Sequence, residues 1–490
     1  MNYYQKPKIV RISDIKNKHF SLHPTEHRNA EIPDKNYKLL REMCLKEDVG
    51  KQIDVSEYVS FGTEYYLHTI SCMEGNIVNP RQGKNISPLL YNKSTKKLSQ
   101  GDFCISRNAS IGKISYVSNH WNAIVNGGIS FFKFKEEYKY YIPAFFITNY
   151  GEDTLRCNTS GGGTQQNVKR ETLLNMKIPF PVESSNCSQK EIIDHVSSLV
   201  KLLIEKEIMI ENKVKIIESI IENEMQRGGT GRKNKFKYPT IQEIRNKNFR
   251  LDTGVYERKY KNILNHIESY EKGFHKIRDM EYDWVSGKTP DIILPCERGE
   301  YLWLAVADLS YGLKFKELKR YNTSEKISQL LEDGDILITR KGATVGKMNM
   351  FFDLYHIPAF VNEDIKVLRI KGKIVDKVFA GMFLNSNYGQ IQMLNLASRG
   401  TKQGLTNENI LDVCIPNFDE KIKNKIFQEY YNACENNWNK SQTYLDYQIT
   451  RNQKLGIYQL NMEMFAIRRK LEELVAQIVK QKEMQIDFMF

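Results

Sequence analysis

The stretch GDFCISRNASIGK, Gly101 to Lys113, returns later in the chain as GDILITRKGATVGK, Gly334 to Lys347, with one extra residue in the second copy. Gly, Asp, Ile, Arg, Gly and Lys recur in the same order. Upstream, RISDIKNKHFSL (Arg11 to Leu22) aligns with TIQEIRNKNFRL (Thr240 to Leu251), pairing Ile12 with Ile241, Ile15 with Ile244, Asn17 with Asn246, Phe20 with Phe249 and Leu22 with Leu251. Downstream, Asn149-Tyr150-Gly151 aligns with Asn387-Tyr388-Gly389. Next, SGGGTQQNVKRETLLNMKIP (Ser160 to Pro179) aligns with SRGTKQGLTNENILDVCIP (Ser398 to Pro416). Ordered matches at a near-constant offset mark an internal duplication, one structural plan used twice.

The rest of the composition agrees with two folded halves. At 490 residues the chain has room for two or three domains, each with a core of its own. A hydrophobic share of 41%, with 11% aromatic residues, excludes a disordered chain. The 72 Lys and Arg against 59 Asp and Glu give a formal charge of +13, which favours a polyanionic partner such as nucleic acid. The eight cysteines (Cys44, Cys72, Cys104, Cys157, Cys187, Cys296, Cys414, Cys434) are scattered, with no C-x-x-C pair and no histidine at zinc-finger spacing. They read as reduced thiols, with no metal site expected. The opening MNYYQKPKIVRISDIKNKHF lacks the apolar centre of a signal peptide, and no run of about 18 apolar residues occurs. The expectation is a soluble, cytoplasmic protein away from membranes.

Inside each half, FCISR, ISFFKF, ILITR and IKVLRI read as short strands between Gly-Asp, Asn-Gly and Lys-Gly turn signals. Helical pieces intervene, as around Ile142 to Asn149. Each half then ends in a helical segment. Between Pro181 and Gly228 there is no Pro or Gly, and Ile193, Val196, Val200, Leu203, Ile210, Val214, Ile217 and Ile221 fall at alternating steps of three and four, interrupted only at Glu207. This is the spacing of a coiled-coil helix, and about 39 residues would span roughly 58 Å. The second copy has a poorer seam, Phe427, Tyr431, Cys434, Trp438 and Leu445, continuing past Gly456 into Ile467, Leu471, Leu474 and Ile478. Such seams must be buried, so the two helices are expected to pack as antiparallel struts. GGTGRKNKFKYP, Gly228 to Pro239, is a basic flexible linker between the halves.

The predicted organisation is therefore α/β (α+β) with a pseudo-two-fold repeat. A first mixed module covers residues 1–182, a first helix 183–227, the linker 228–239, a second module 240–417, and a second helix with a C-terminal extension 418–490. The repeated turns, Arg107 to Lys113 and Arg340 to Lys347, superficially resemble a phosphate-binding loop, but the glycine spacing is wrong and Ile114 and Met348 follow the lysines where a hydroxyl is needed. Two readings remain: a plain hairpin turn, or a turn exposing Arg and Lys to a DNA backbone. The small-residue segments after Ser160 and Ser398 offer Thr, Gln, Lys and Asn for base edges. Thr172 or Thr406 could equally cap the next helix. His195 and His266 fall in helical patterns and are expected to be solvated. No H-E-x-x-H, G-x-S-x-G, G-x-G-x-x-G or amino-methyltransferase tetrad is present, and the sequence from Glu363 to Lys366 makes a poor nuclease motif because its counterpart is Gly127 to Ser130.

The paired GD-x-(C/L)-I-(S/T)-R…GK turns, the paired G-T…Q…L…IP segments and the helix after each make the chain resemble the specificity subunit of type I restriction-modification enzymes. That resemblance spans nearly the whole sequence. It implies two target-recognition modules, each reading half of a bipartite double-stranded DNA site, with the helices pairing as an antiparallel coiled coil that acts as a ruler. It further implies two adenine-methylating methyltransferase subunits that bind S-adenosylmethionine, and restriction subunits that use ATP and Mg. The chain itself would then be non-catalytic and hold no cofactor. The positions it carries over for DNA are Arg107, Lys113, Thr164, Gln165 and Gln166, and Arg340, Lys341, Lys347, Thr401, Lys402 and Gln403. Two other classes remain open, a specificity subunit of a type IIB-like methylase-nuclease and a stand-alone DNA-binding phage-defence scaffold. Residues 451–490 have no counterpart in the first half.

Overall fold

The computed structural model describes residues 35–59, 62–159, 167–183, 187–228, 238–246, 249, 251, 256–296, 299–309, 320–341, 345–353, 356–397, 404–438 and 442–484. The matched openings at Arg11 to Leu22, most of the linker, and Thr164, Gln165, Gln166, Thr401, Lys402 and Gln403 lie outside them. The chain forms two compact units that do not follow it serially. Of the described residues, the first unit gathers those up to Ile208, then Asn436–Gln453 and the stretch from Glu463; the second gathers Met209–Glu435 and Lys454–Met462.

In the first unit the strands are β1 Tyr37–Leu39, β2 Cys44–Val49, β3 Tyr65–His68, β4 Lys84–Asn85, β5 Phe103–Ser106, β6 Ile114–Tyr116, β7 Asn122–Val125, β8 Ile129–Phe134 and β9 Lys177–Pro179. An antiparallel sheet runs β2-β8-β5-β6, a second sheet runs β4-β3-β7, and β1 pairs with β9. Strand β5 is buried along its whole length, as FCIS requires at the centre of a covered sheet. Cys104, Ile129 and Phe131 from one sheet pack on Ala123 and Val125 from the other to form the core. The helices are α1 Pro88–Lys93, α2 Tyr141–Ile147, α3 Asn149–Cys157, α4 Arg170–Leu174 and α5 Gln189–Gly228.

The second unit repeats this plan with α6 Ile241–Asn246, α7 Arg258–Glu268, β10 Phe274–Lys276, β11 Tyr282–Ser286, β12 Leu294–Pro295, β13 Tyr301–Leu304, β14 Arg320–Asn322, β15 Ile336–Thr339, β16 Met348–Met350, β17 Ala359–Val361, β18 Ile365–Ile370, α8 Ile374–Asn385, α9 Asn387–Leu396, α10 Asn407–Leu411 and β19 Cys414–Pro416. Its sheets run β11-β18-β15-β16 and β12-β14-β13-β17, and β10 pairs with β19. The registers coincide: Phe103 faces Tyr116 and Phe132 as Ile336 faces Met350 and Leu368. The parallel β3/β7 pair recurs as β13/β17. The duplication therefore includes β2 and β11, strands that lie outside the matched segments.

The recurrent Asn-Tyr-Gly has a steric cause. A Cβ on Gly151 would stand 2.3 Å from the Phe145 carbonyl oxygen, and one on Gly389 2.4 Å from Leu384 Cα, so each tight junction between consecutive helices (α2/α3, α8/α9) excludes a side chain. Thr148 and Ser386 close those junctions through hydroxyls donated to the Phe145 and Phe383 carbonyls at 2.7 and 2.6 Å.

Helix α5 is continuous over 40 residues, and all eight seam residues from Ile193 to Ile221 are buried. Its first half belongs to the first unit and its second half to the second. In the first unit it is met by α12 Tyr444–Asn452 and by α13 Ile457–Val479, beyond Met462. Lys206 bonds Glu463, whereas Gln481, just past the other end of α13, donates to the Phe180 carbonyl near the start of α5. Those two partners set α13 antiparallel to α5, and Ile467, Leu471, Leu474 and Ile478 are buried as expected.

Other expectations need correction. The second helix does not run through its expected seam from Phe427 to Leu445: α11 Glu420–Tyr430 stops, no described residue from Tyr431 to Thr443 is helical, and α12 and α13 follow. The break coincides with NACENNWNK, where the asparagines favour local side-chain bonds over helix. In α11 the buried residues are Ile426 and Tyr430, one position off the expected seam, and Tyr431 is 40% exposed. Neither histidine is solvated. His195 is buried. His266 donates from Nε2 to the Met225 carbonyl (2.9 Å), and its Nδ1 is hydrogen-bonded with Tyr388 Oη (3.2 Å).

Of the two candidate caps only Thr406 is one. Its Oγ accepts from Asn409 N at 3.1 Å and Asn409 Oδ1 accepts from Thr406 N, whereas Thr172 lies inside α4. Thr406→Ala is expected to cost about 1 kcal/mol. Thr172→Ala should cost clearly less, as read by amide exchange in α10 and α4.

Candidate nucleic-acid interface

Each repeated turn closes an antiparallel hairpin, β5 to β6 and β15 to β16. Gly112 and Gly346 take φ of +91° and +80°, left-handed backbone that accounts for a glycine at this place in both copies. The residue that follows the first strand of each hairpin is the recurrent arginine, and its main chain ties three segments together. Arg107 N donates to Gly128 O (2.9 Å) and Arg107 O accepts from Val168 N (2.9 Å). In the second unit Arg340 N donates to Asp364 O (3.3 Å) and Arg340 O accepts from Leu405 N (2.8 Å). Bridges pair Asn108 with Asn167 and Lys341 with Gly404. Within each unit the hairpin turn, the turn before β8 or β18, and the segment leaving the small-residue loop thus form one surface.

The predicted side chains are not equivalent within it. Arg107 is only 8% exposed, and its guanidinium donates to the carbonyls of Gly127 (2.8 Å) and Val168 (3.3 Å). Burial pulls its pKa below the usual arginine value, against the attraction of Glu47. It braces the junction. Lys347 is likewise buried, at 5% exposure, and Lys113 is half-buried. The expectation that both turns display their basic ends to solvent therefore fails at Arg107, which sits where three segments meet, and at Lys347, which is buried in its own hairpin.

Lys341 does face outward, 61% exposed, with Asp364 as a partner at 3.2 Å. Arg340 is half-buried, and its Nε is buried with no hydrogen-bond partner among the described residues. Beside it Lys366 in β18 has its pKa pushed down, first by burial and then by the Arg340 charge. An anion beside Lys366 would favour its charged form. In the first unit the corresponding rim carries Asn108, half-buried, and exposed Asn167, Lys169 and Arg170, the last paired with Glu47 at 2.5 Å.

Asn108 and Asn167 both stand inside the repeated motifs, but nothing local in the sequence shows that they are bridged to each other. The sequence presents Lys366 only as part of a nuclease pattern; in the structure Glu363 accepts from Thr289 and Asp364 pairs with Lys341. Lys366 was legible only as the strand residue aligned with Ser130.

Residues 10–215 match the family model described as type I restriction modification DNA specificity domain. None of the curated proteins compared with the chain matches it. Among solved structures, the type I restriction-modification S subunit from M. genitalium aligns over 93% of this chain and 99% of its own at 12% identity and a TM-score of 0.31. The HsdS subunit from Thermoanaerobacter tengcongensis aligns over 92% and 98% at 14% identity and 0.27. The type IIG restriction endonuclease BpuSI aligns over 50% and 36% at 12% identity and 0.29. Scores this low establish neither fold nor function. Among the described residues no helix is long and apolar enough to cross a membrane. The match to the type I restriction modification DNA specificity domain model thus lies in residues 10–215, and the strand order β2-β8-β5-β6 found there recurs in the second half as β11-β18-β15-β16.

Proposed function

We propose that the chain is the sequence-specific DNA-binding subunit of a restriction-modification complex, its two modules (1–182 and 240–417) each reading one half of a bipartite duplex site. The observation that carries this reading is the twofold recurrence of one surface, where a hairpin turn and the exit of a polar small-residue loop lie side by side. Such a surface offers amide side chains for base edges beside cations for phosphates. Lys113, Lys341 and Arg340 are the phosphate-facing candidates among the described residues. Thr164, Gln165, Gln166, Thr401, Lys402 and Gln403 are the base-facing ones, while Arg107 and Lys347 hold the scaffold.

On this reading the helices dock two methyltransferase subunits that modify adenine N6. S-adenosylmethionine, ATP and Mg act on those and on restriction subunits, and no catalytic group is required of this chain. Co-purification with the products of neighbouring genes, followed by mapping of methylated adenines, should yield one asymmetric bipartite motif. Methylation by the chain alone would overturn the reading.

The division of labour among the cations gives a sharper expectation. Lys341→Ala should weaken binding evenly across sequences and lower the slope of log affinity against log salt by about 1. Arg107→Ala should instead lower the thermal stability of the first unit. Equal salt slopes for Lys341→Ala and the parent chain would remove Lys341 from the interface.

A further inference from the structure

Position 207 belongs to the apolar seam of α5, yet it holds a glutamate that is 1% exposed. A carboxylate is costly there unless it is bonded. It is bonded to the recognition module itself. Asn76 donates to Glu207 Oε2 twice, from its backbone N at 2.8 Å and from Nδ2 at 2.6 Å. Gly75 makes the seat, since a Cβ there would lie 2.0 Å from Glu207 Oε1. The same two residues hold the second strand of the candidate DNA-facing hairpin: Tyr116 N donates to Asn76 O (2.7 Å) and Ser115 Oγ to Gly75 O (2.6 Å). Arg468 of α13 completes the knot by donating to Asn76 Oδ1 at 2.9 Å.

Building on the proposed function, we infer that Glu207 is a positioning residue that fixes the rotational phase of the first recognition module about the spacer helix, and so sets the permitted spacing between the two half-sites. The physical reason is directional. Apolar seam contacts tolerate rotation and sliding, whereas an acceptor with two donors on one residue in a glycine-lined notch defines a single angle and height. A helix slipped by one residue would turn the module by about 100°. Because the notch residues are bonded to β6, that angle is passed directly to the hairpin.

The test uses the full chain, purified with its methyltransferase partners, and a duplex DNA library with the spacer between half-sites randomised in length. Glu207→Ala is expected to select the same two half-sequences but to lose preference for one spacer over its neighbours by about tenfold. Glu207→Gln keeps a carbonyl oxygen able to accept both Asn76 donors, and should stay within about twofold of the parent. Gly75→Ala, which displaces the carboxylate without altering it, should behave as Glu207→Ala. Val196→Ala, a seam truncation without polar contacts, controls for stability and should lower recovery at all spacers alike.

An unchanged spacer preference in Glu207→Ala and Gly75→Ala, with a parent that selects a bipartite site, overturns the inference alone. The same follows if Val196→Ala loosens the spacer equally. A parent that selects no bipartite site overturns the proposed function and the inference with it.

Discussion

A hybrid in which residues 240–416 are replaced by the corresponding module of a relative is expected to recognise a site changed in one half and intact in the other. The boundaries are physically sensible. β10 and β19 pair Phe274 with Pro416 and Lys276 with Cys414, just as β1 and β9 pair Tyr37 with Pro179 and Leu39 with Lys177, so each module's ends are tied together by its own two-stranded strap. Its core is also its own, Leu337, Val361, Ile365 and Val367 packing with Leu302 and Leu304. The graft must keep the groups that seat it on the second half of α5. These are His266, which bonds the Met225 carbonyl, and Tyr270, whose hydroxyl donates to Glu224 at 2.8 Å. Specific sites are typically 10³ to 10⁷ tighter than non-specific ones, roughly, so a changed half is unmistakable in a map of methylated adenines. Change in both halves would refute independent reading.

The second large effect concerns stability. Lys206, 1% exposed at the interface of α5 with α12 and α13, donates to Glu463 at 2.5 Å and to Asn452 Oδ1 at 2.7 Å. Burial lowers its pKa, opposed by the Glu463 charge. Glu463→Ala leaves that ammonium out of water with one neutral acceptor, and should cost about 3–5 kcal/mol. Lys206→Met should cost much less, because Glu463 retains Arg451 at 2.6 Å and is partly open to solvent. The double variant Lys206→Met with Glu463→Leu should recover most of the loss, since apolar replacement of a whole buried pair is often neutral. Amide exchange along α5 near Lys206 reads the effect locally. A Glu463→Ala chain within about 0.5 kcal/mol of the parent contradicts this account.

Much of the architecture was legible because repetition and periodicity are local signals. The strands at Phe103, Ile129, Ile336 and Ile365 and the eight-residue seam of α5 formed as read. What escaped depended on the third dimension. Nothing in RNAS or in RKG shows that the first arginine lies under three crossing segments while the Lys341 side chain, one residue past the second arginine, stays 61% exposed. From Lys46 to Val49 the register of β2 matches that of β11 from Asp283 to Ser286, although the side chains differ and β2 alone shifts register between Cys44 and Lys46. The seam from Phe427 to Leu445 was misread because Phe427 and Tyr431 keep helical spacing up to an asparagine-rich break, where spacing alone cannot outweigh propensity. Glu207 was visible as a flaw in a seam; only the structure shows the Asn76 that makes it a contact.

The unequal threading of the chain through its two units bears on how the protein is made. The first unit to leave the ribosome is the last to be complete: Asn76 must wait for Arg468 and the Phe180 carbonyl for Gln481, partners 392 and 301 residues away. At about 5–20 residues per second those delays are on the order of 15–80 s, and the seam of α5 from Ile193 to Leu203 likewise waits for its partner strut. A premature stop after Tyr430 would therefore be felt far upstream, in the first module, while the nearer module would keep its sheets and strap.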